Sequence, residues 1–177
     1  EDGYMTYRYL RDTYPSGKGQ VGKALLNAYK LVAGINERIE NAEDITLTSV
    51  ENLSDGVYQF GFDYKVKGMP VKVNIGTKDG RGERLNHAIS VQADSKRVLR
   101  CDWLLKRLVQ GAKSNYNDRF IDLLGNAELF FPSLSIQDIY SCYMIDSSDR
   151  ELLKPVLLIR TKDQKDPVIE MIPEKGE

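Results

Sequence analysis

"SKRVLRCDWLLKR" (residues 95–107) contains the only tryptophan of a 177-residue chain, and its periodicity decides how the fold is read. At 100° per residue, Val98, Cys101, Leu105, Leu108 and Ala112 fall on one helical face. Lys96, Arg100, Trp103 and Arg107 fall on the opposite one. This spacing predicts a helix over about 95–125, broken near "GAKSNYND" (111–118), with Trp103 set among cations away from the core. Arg and Trp are enriched at binding hot spots, so these four residues form the predicted interaction face. Two alternatives stand beside it: packing between two domains with the basic side chains snorkelling, or stacking of bases with phosphate contacts.

Downstream, strand-like runs lie near 135–146, 154–161 and 167–172. "PVLLI" (155–159) and "PVIEMI" (167–172) carry apolar residues on both strand faces, which predicts a sheet covered on both sides. Upstream, several short stretches echo this half of the chain. "NAE" occurs at 41–43 and 126–128, "SVENL" (49–53) matches "SIQDI" (135–139) in character, and "PVKVNIGTKD" (70–79) matches "PVLLIRTKD" (155–163). The spacing is nearly constant at about 85 residues, longer than that of common solenoids. The expectation is an internal duplication.

The first half supports that plan. Val21, Leu25, Ala28, Val32, Ile35, Ile39 and Ala42 make one stripe of a helix over about 20–42. "ITLTSV" (45–50) follows, then an "SDG" turn. In "VYQFGFDYKVK" (57–67), Tyr58, Phe60, Phe62, Tyr64 and Val66 share one strand face, with Gln59, Asp63, Lys65 and Lys67 on the other. "PVKVNIG" (70–76) and "HAISVQA" (87–93) complete a predicted antiparallel meander. The fold class expected is therefore α+β: a segment 1–18, then two tandem α-β4 units over 19–94 and 95–177. A helix followed by a four-stranded meander resembles the cystatin-like plan, at the level of fold analogy alone. Lys30-Leu31-Val32-Ala33-Gly34 echoes the cystatin Q-x-V-x-G string, but it lacks the Gln and lies inside a helix.

Composition narrows the function. Formal net charge is −1. Residues 1–94 hold 12 of the 25 basic and 13 of the 26 acidic side chains, so neither half is basic overall. Bulk electrostatics gives no support to nucleic acid or anionic membranes as partners. No apolar run approaches the roughly 18 residues that span a bilayer. The chain opens Glu1-Asp2-Gly3 without an initiator methionine, which fits either a processed, exported protein or a cut one. Export to a periplasmic or extracellular setting is the expectation. Cys101 and Cys142, with one histidine in the chain, show no metal-site spacing. They form one disulfide or remain two buried thiols.

"SGKGQVGKALL" (16–26) fits the phosphate-loop pattern G-x-x-x-x-G-K through Gly17, Gly22 and Lys23. Ala24 stands where Mg²⁺ needs a hydroxyl, and the expected meander is not the parallel sheet such a loop requires. What remains is a weak anion site at Lys18 and Lys23. Tyr58, Phe60, Phe62 and Tyr64 are expected as core, or as the lining of a ligand pocket between sheet and helix. His87, a lone histidine with no Cys or Ser motif nearby, reads as structural or exposed. Asp63 and Asp79 are conceivable paired carboxylates. The charged loop "TKDGRGER" (77–84) reads as an exposed connection. No nucleophile motif is present. The functional expectation is a non-catalytic protein-interaction module, without cofactor or metal, whose partner is another protein. A small-ligand protein or enzyme with a pocket under the sheet comes second, and an anion or nucleic-acid binder through the Trp103 face third.

Overall fold

The computed structural model describes residues 3–10, 19–39, 44–54, 56–76, 84–105, 116–117, 136–146, 153–161, 168–170 and 172–173. The chain runs β1 (Gly3–Arg8), α1 (Val21–Asn36), β2 (Asp44–Ser54), β3 (Val57–Val66), β4 (Met69–Gly76), β5 (Arg84–Leu85), β6 (Ile89–Ala93), β7 (Val98–Leu105), β8 (Tyr116–Asn117), β9 (Ile136–Asp146), β10 (Lys154–Thr161), β11 (Val168–Glu170) and β12 (Ile172–Pro173). Ten strands join in one mixed sheet, and β8 pairs with β12 in a separate small one.

Five antiparallel strands in the order β2-β3-β6-β7-β1 form the first part of the large sheet. Strand alternation divides its side chains cleanly. One row across all five strands is Leu47–Phe62–Ile89–Trp103–Met5, and the next is Val50–Phe60–Val91–Cys101–Tyr7. This face carries α1, which packs on β3, β6 and β7. The helix buries Ala24, Ala28 and Val32, one small residue per turn, so its backbone lies close to the sheet. The opposite face is polar. Its rows are Ser49–Gly61–Ser90–Asp102–Thr6 and Glu51–Gln59–Gln92–Arg100–Arg8.

The second part begins where β3 turns into β4. Lys67 (φ 48°) and Gly68 (φ 85°) both adopt left-handed backbone, the requirement of a two-residue hairpin turn whose twist matches its strands. Only Lys65–Pro70 and Val66–Met69 pair in this hairpin, because β6 holds the same edge of β3 over Tyr58–Phe62. Strand β4 then diverges and pairs in parallel with β9, followed by β10 and β11. Val156, Leu157, Leu158 and Ile159 are buried in succession, so β10 is covered on both faces.

This architecture overturns the expected α+β fold of two tandem α-β4 units. The described residues are mostly strand, with one helix, and one large mixed sheet runs through both halves. The predicted helix over 95–125 is a strand across Val98–Leu105. Val98, Cys101 and Leu105 satisfy a helical stripe by spacing, but Cys101 and Trp103 also alternate with Arg100 and Asp102. Pairing with β1 and β6 on both sides selects the strand.

The internal duplication is not seen either. β4 lies between β3 and a parallel β9, whereas β10 lies between two antiparallel neighbours, so the two Pro-Val stretches occupy different environments. Both "NAE" copies lie outside the described residues. The cystatin-like plan fails because β4 leaves the meander while β7 and β1 extend it. The point chosen as a unit boundary, residue 94, sits in the β6–β7 turn, where Asp94 Oδ1 accepts the backbone N–H groups of Lys96 (2.6 Å) and Arg97 (2.8 Å). Helix α1 is shorter than expected, ending at Asn36, and Ile39 is exposed.

Candidate binding groove and polar cluster

Helix α1 crosses the sheet with one flank uncovered. Gly22, Leu26, Tyr29, Ala33 and Asn36 lie beside the buried stripe and face β2 across an open groove of about 590 Å³. Leu25 and Val32 form its inner wall, Phe62 contributes from β3, and Ile45 and Leu47 stand opposite. Glu37 and Asp44 place two carboxylates at the end nearest the helix C-terminus. Leu26 is 50% exposed and Tyr29 60%, so large apolar groups meet water along the groove. Gly22 to Glu37 spans roughly 22 Å at helical rise.

Strand β2 forms the far wall, and β3 is its only partner among the described residues. Among the described residues no strand lies beside its other edge, which presents backbone N–H and C=O groups. Val50 and Leu53 on this strand are also exposed.

On the polar face, a separate cluster is built around Asp63. The side chain is fully buried, and its carboxylate accepts hydrogen bonds from Lys72 Nζ (2.9 Å), Thr48 Oγ1 (2.7 Å) and the Ala88 N–H (3.2 Å). His87 Nδ1 lies 3.3 Å from both carboxylate oxygens, and Nε2 lies 2.9 Å from Ser49 Oγ. Burial alone would raise the carboxyl pKa. The His87 hydrogen bond, the Lys72 charge and the Thr48 hydroxyl outweigh it and bring the value down to about 2. Gly61 makes the arrangement possible, because a Cβ there would stand 2.3 Å from Ser49 Oγ and 2.5 Å from His87 Cδ2. A bulge in β2 between Leu47 and Ser49 lets Leu47 face the helix while Ser49 pairs with Gly61 on the polar side.

The predicted interaction face is not assembled. Trp103 is fully buried under α1, and its Nε1–H donates to the Tyr64 hydroxyl at 2.9 Å, which donates to the Leu104 carbonyl at 2.7 Å. Arg100 lies on the opposite face, in an ion pair with Asp102. Lys96 is exposed in the β6–β7 turn, and Arg107 lies outside the described residues. Of the anion-site pair, Lys23 is exposed in the first turn of α1, and Lys18 lies outside the described residues. The upstream strand β1 pairs antiparallel with β7, unlike the parallel strand that precedes a phosphate loop.

Phe60, Phe62 and Tyr64 are buried as a core stripe, and Phe62 also reaches the groove. Asp79 and most of the charged loop, 77–83, lie outside the described residues. Both cysteines are free and buried. Burial pushes Cys101 up to about 12, helped by the Asp102 charge, and Cys142 up to about 11, so both stay protonated thiols at neutral pH.

Among the described residues, no group of three His, Cys, Asp or Glu side chains could hold a metal ion, and no helix is long and apolar enough to cross a membrane.

Sequence reasoning offered a pocket between helix and sheet as its second reading, but not the β2 wall of the groove or the joining of Ser49 to His87. Leu26 and Tyr29, apolar and one step off the main helical stripe, were the available signal for the groove. The Ser49–His87 contact spans 38 residues and carries no local signature. Comparison with protein-family models, with curated proteins and with solved structures gives no match.

Proposed function

We propose that this chain is a protein-interaction module that receives an extended, apolar segment of a partner protein between α1 and β2. The observation that carries the reading is the apolar groove beside a strand edge with no second partner among the described residues. A peptide added to such an edge gains main-chain hydrogen bonds, and its alternate side chains enter the groove. The groove length accommodates about seven residues of extended chain. Leu26, Tyr29 and Leu47 would meet the apolar side chains, and Glu37 and Asp44 favour a basic residue at one end. The interaction class is the one expected from sequence, but the face differs, because Trp103 is interior.

The test is selection from a displayed library of seven-residue peptides, followed by fluorescence-anisotropy titration. The expected peptides carry apolar residues at alternate positions, and Leu26→Glu weakens their binding at least tenfold without lowering the melting temperature. Absence of enrichment, or binding indifferent to Leu26→Glu, would overturn the assignment. A small apolar compound that binds the groove while no peptide does would transfer the site to small-ligand binding.

A further inference from the structure

The polar cluster lies on the other side of the sheet from the groove, and peptide docking makes no use of it. Asp63 is already compensated by Lys72, Thr48 and the Ala88 N–H. His87 does more than complete that shell. Asp63 as a carboxylate only accepts, so it fixes Nδ1 as the protonated nitrogen of the neutral ring. The lone pair of Nε2 then faces Ser49 Oγ at 2.9 Å, on an imidazole that retains access to solvent. A glycine inside a strand weakens it, yet Gly61 is what allows the ring to lie against β3 and reach both partners.

The geometry points to a second activity: Ser49 as nucleophile, His87 as its base and Asp63 as the positioning residue, acting on a neutral carboxylic ester. Nucleophile, base and orienting group stand in hydrogen-bonded sequence, the arrangement by which a serine hydroxyl is activated. Ser49 Oγ bonds to the ester carbonyl carbon as its proton passes to Nε2. The carbon–oxygen bond to the alcohol then breaks, and the leaving oxygen takes that proton, leaving an acyl-Ser49. Water attacks the acyl carbon and gives a proton to Nε2. The carboxylic acid departs as Ser49 Oγ recovers the proton. Lys72 is paired with Asp63 at 2.9 Å, so its charge is already compensated and a neutral ester suits the site better than a phosphate anion.

The experiment treats the full folded chain with a fluorophosphonate probe, maps the adduct by mass spectrometry, and follows p-nitrophenyl acetate hydrolysis in parallel. The expected result is one adduct per chain, on Ser49, with release of p-nitrophenol. Ser49→Ala abolishes the adduct, and His87→Gln slows it by about 100-fold or more. Melting curves establish that both variants are folded. The adduct site on the unaltered chain decides independently of either variant. No adduct, an adduct on Thr48 or a tyrosine, or equal labelling in urea would overturn the proposal.

Discussion

Gly61→Ala adds one methyl group at the point where β2, β3 and the segment before β6 converge. The new carbon would stand 2.3 Å from Ser49 Oγ and 2.6 Å from His87 Cγ. The serine hydroxyl can rotate away, but Cγ is the root of the imidazole, so the whole ring must swing out. That movement removes the Nδ1 contacts with Asp63 and the Nε2 contact with Ser49. A hydrogen bond to a charged group contributes about 1.5–3 kcal/mol. Replacing glycine where backbone strain is absent returns about 0.4–1 kcal/mol through the unfolded chain, and Gly61 is not among the positive-φ glycines. The net expectation is a loss of about 2 kcal/mol, which lowers the midpoint of a domain this size by roughly 4–8 °C. Urea denaturation and thermal melts measure it directly. In a His87→Ala background the space is vacant, and the same substitution should be neutral or slightly stabilising. Equal cost in both backgrounds, or no cost in either, would refute the packing argument.

Further outcomes follow from the same structure. Trp103→Ala should lower stability by about 3–5 kcal/mol, since it empties a fully buried position between β6 and β1; Trp103→Phe should cost about 1 kcal/mol through the lost bond to Tyr64. Denaturant titrations would distinguish this from a surface role, in which Trp103→Ala changes stability by less than about 0.5 kcal/mol. Asp63 has a folded pKa of about 2 against an ordinary 3.8. Its ionised form therefore stabilises the fold above pH 4, and that contribution, about 2 kcal/mol, disappears as pH falls through 2. The stability difference between the parent chain and Asp63→Asn should shrink by that amount from pH 5 to pH 2. A difference independent of pH would show that the Asp63 charge contributes nothing.

Individual elements of the first half were legible because their patterns are unambiguous. Tyr58 through Val66 alternate without exception, and Ala28 and Val32 keep helical spacing, so β3 and α1 follow from local chemistry. The stretch at 98–105 was not legible in the same way. Its apolar residues satisfy two periods, and only the neighbouring strands β1 and β6 choose between them. Assembly was harder still. Nothing local to Met69–Gly76 announces that β6 will occupy the edge of β3 and send β4 to a parallel partner some 70 residues away. The candidate sites divide in the same manner. Phe62 and the first helix were legible as possible pocket walls. The Asp63 cluster depends on Thr48, Ser49, Lys72 and His87, which meet only after four separate segments are aligned.

Amide hydrogen exchange across Asp44–Ser54, with and without a selected peptide, tests the central claim most directly. The account predicts that alternate β2 amides, the outward-pointing set, become protected on binding, and that Leu26→Glu prevents the change. Saturating peptide with unaltered exchange along β2 would contradict it.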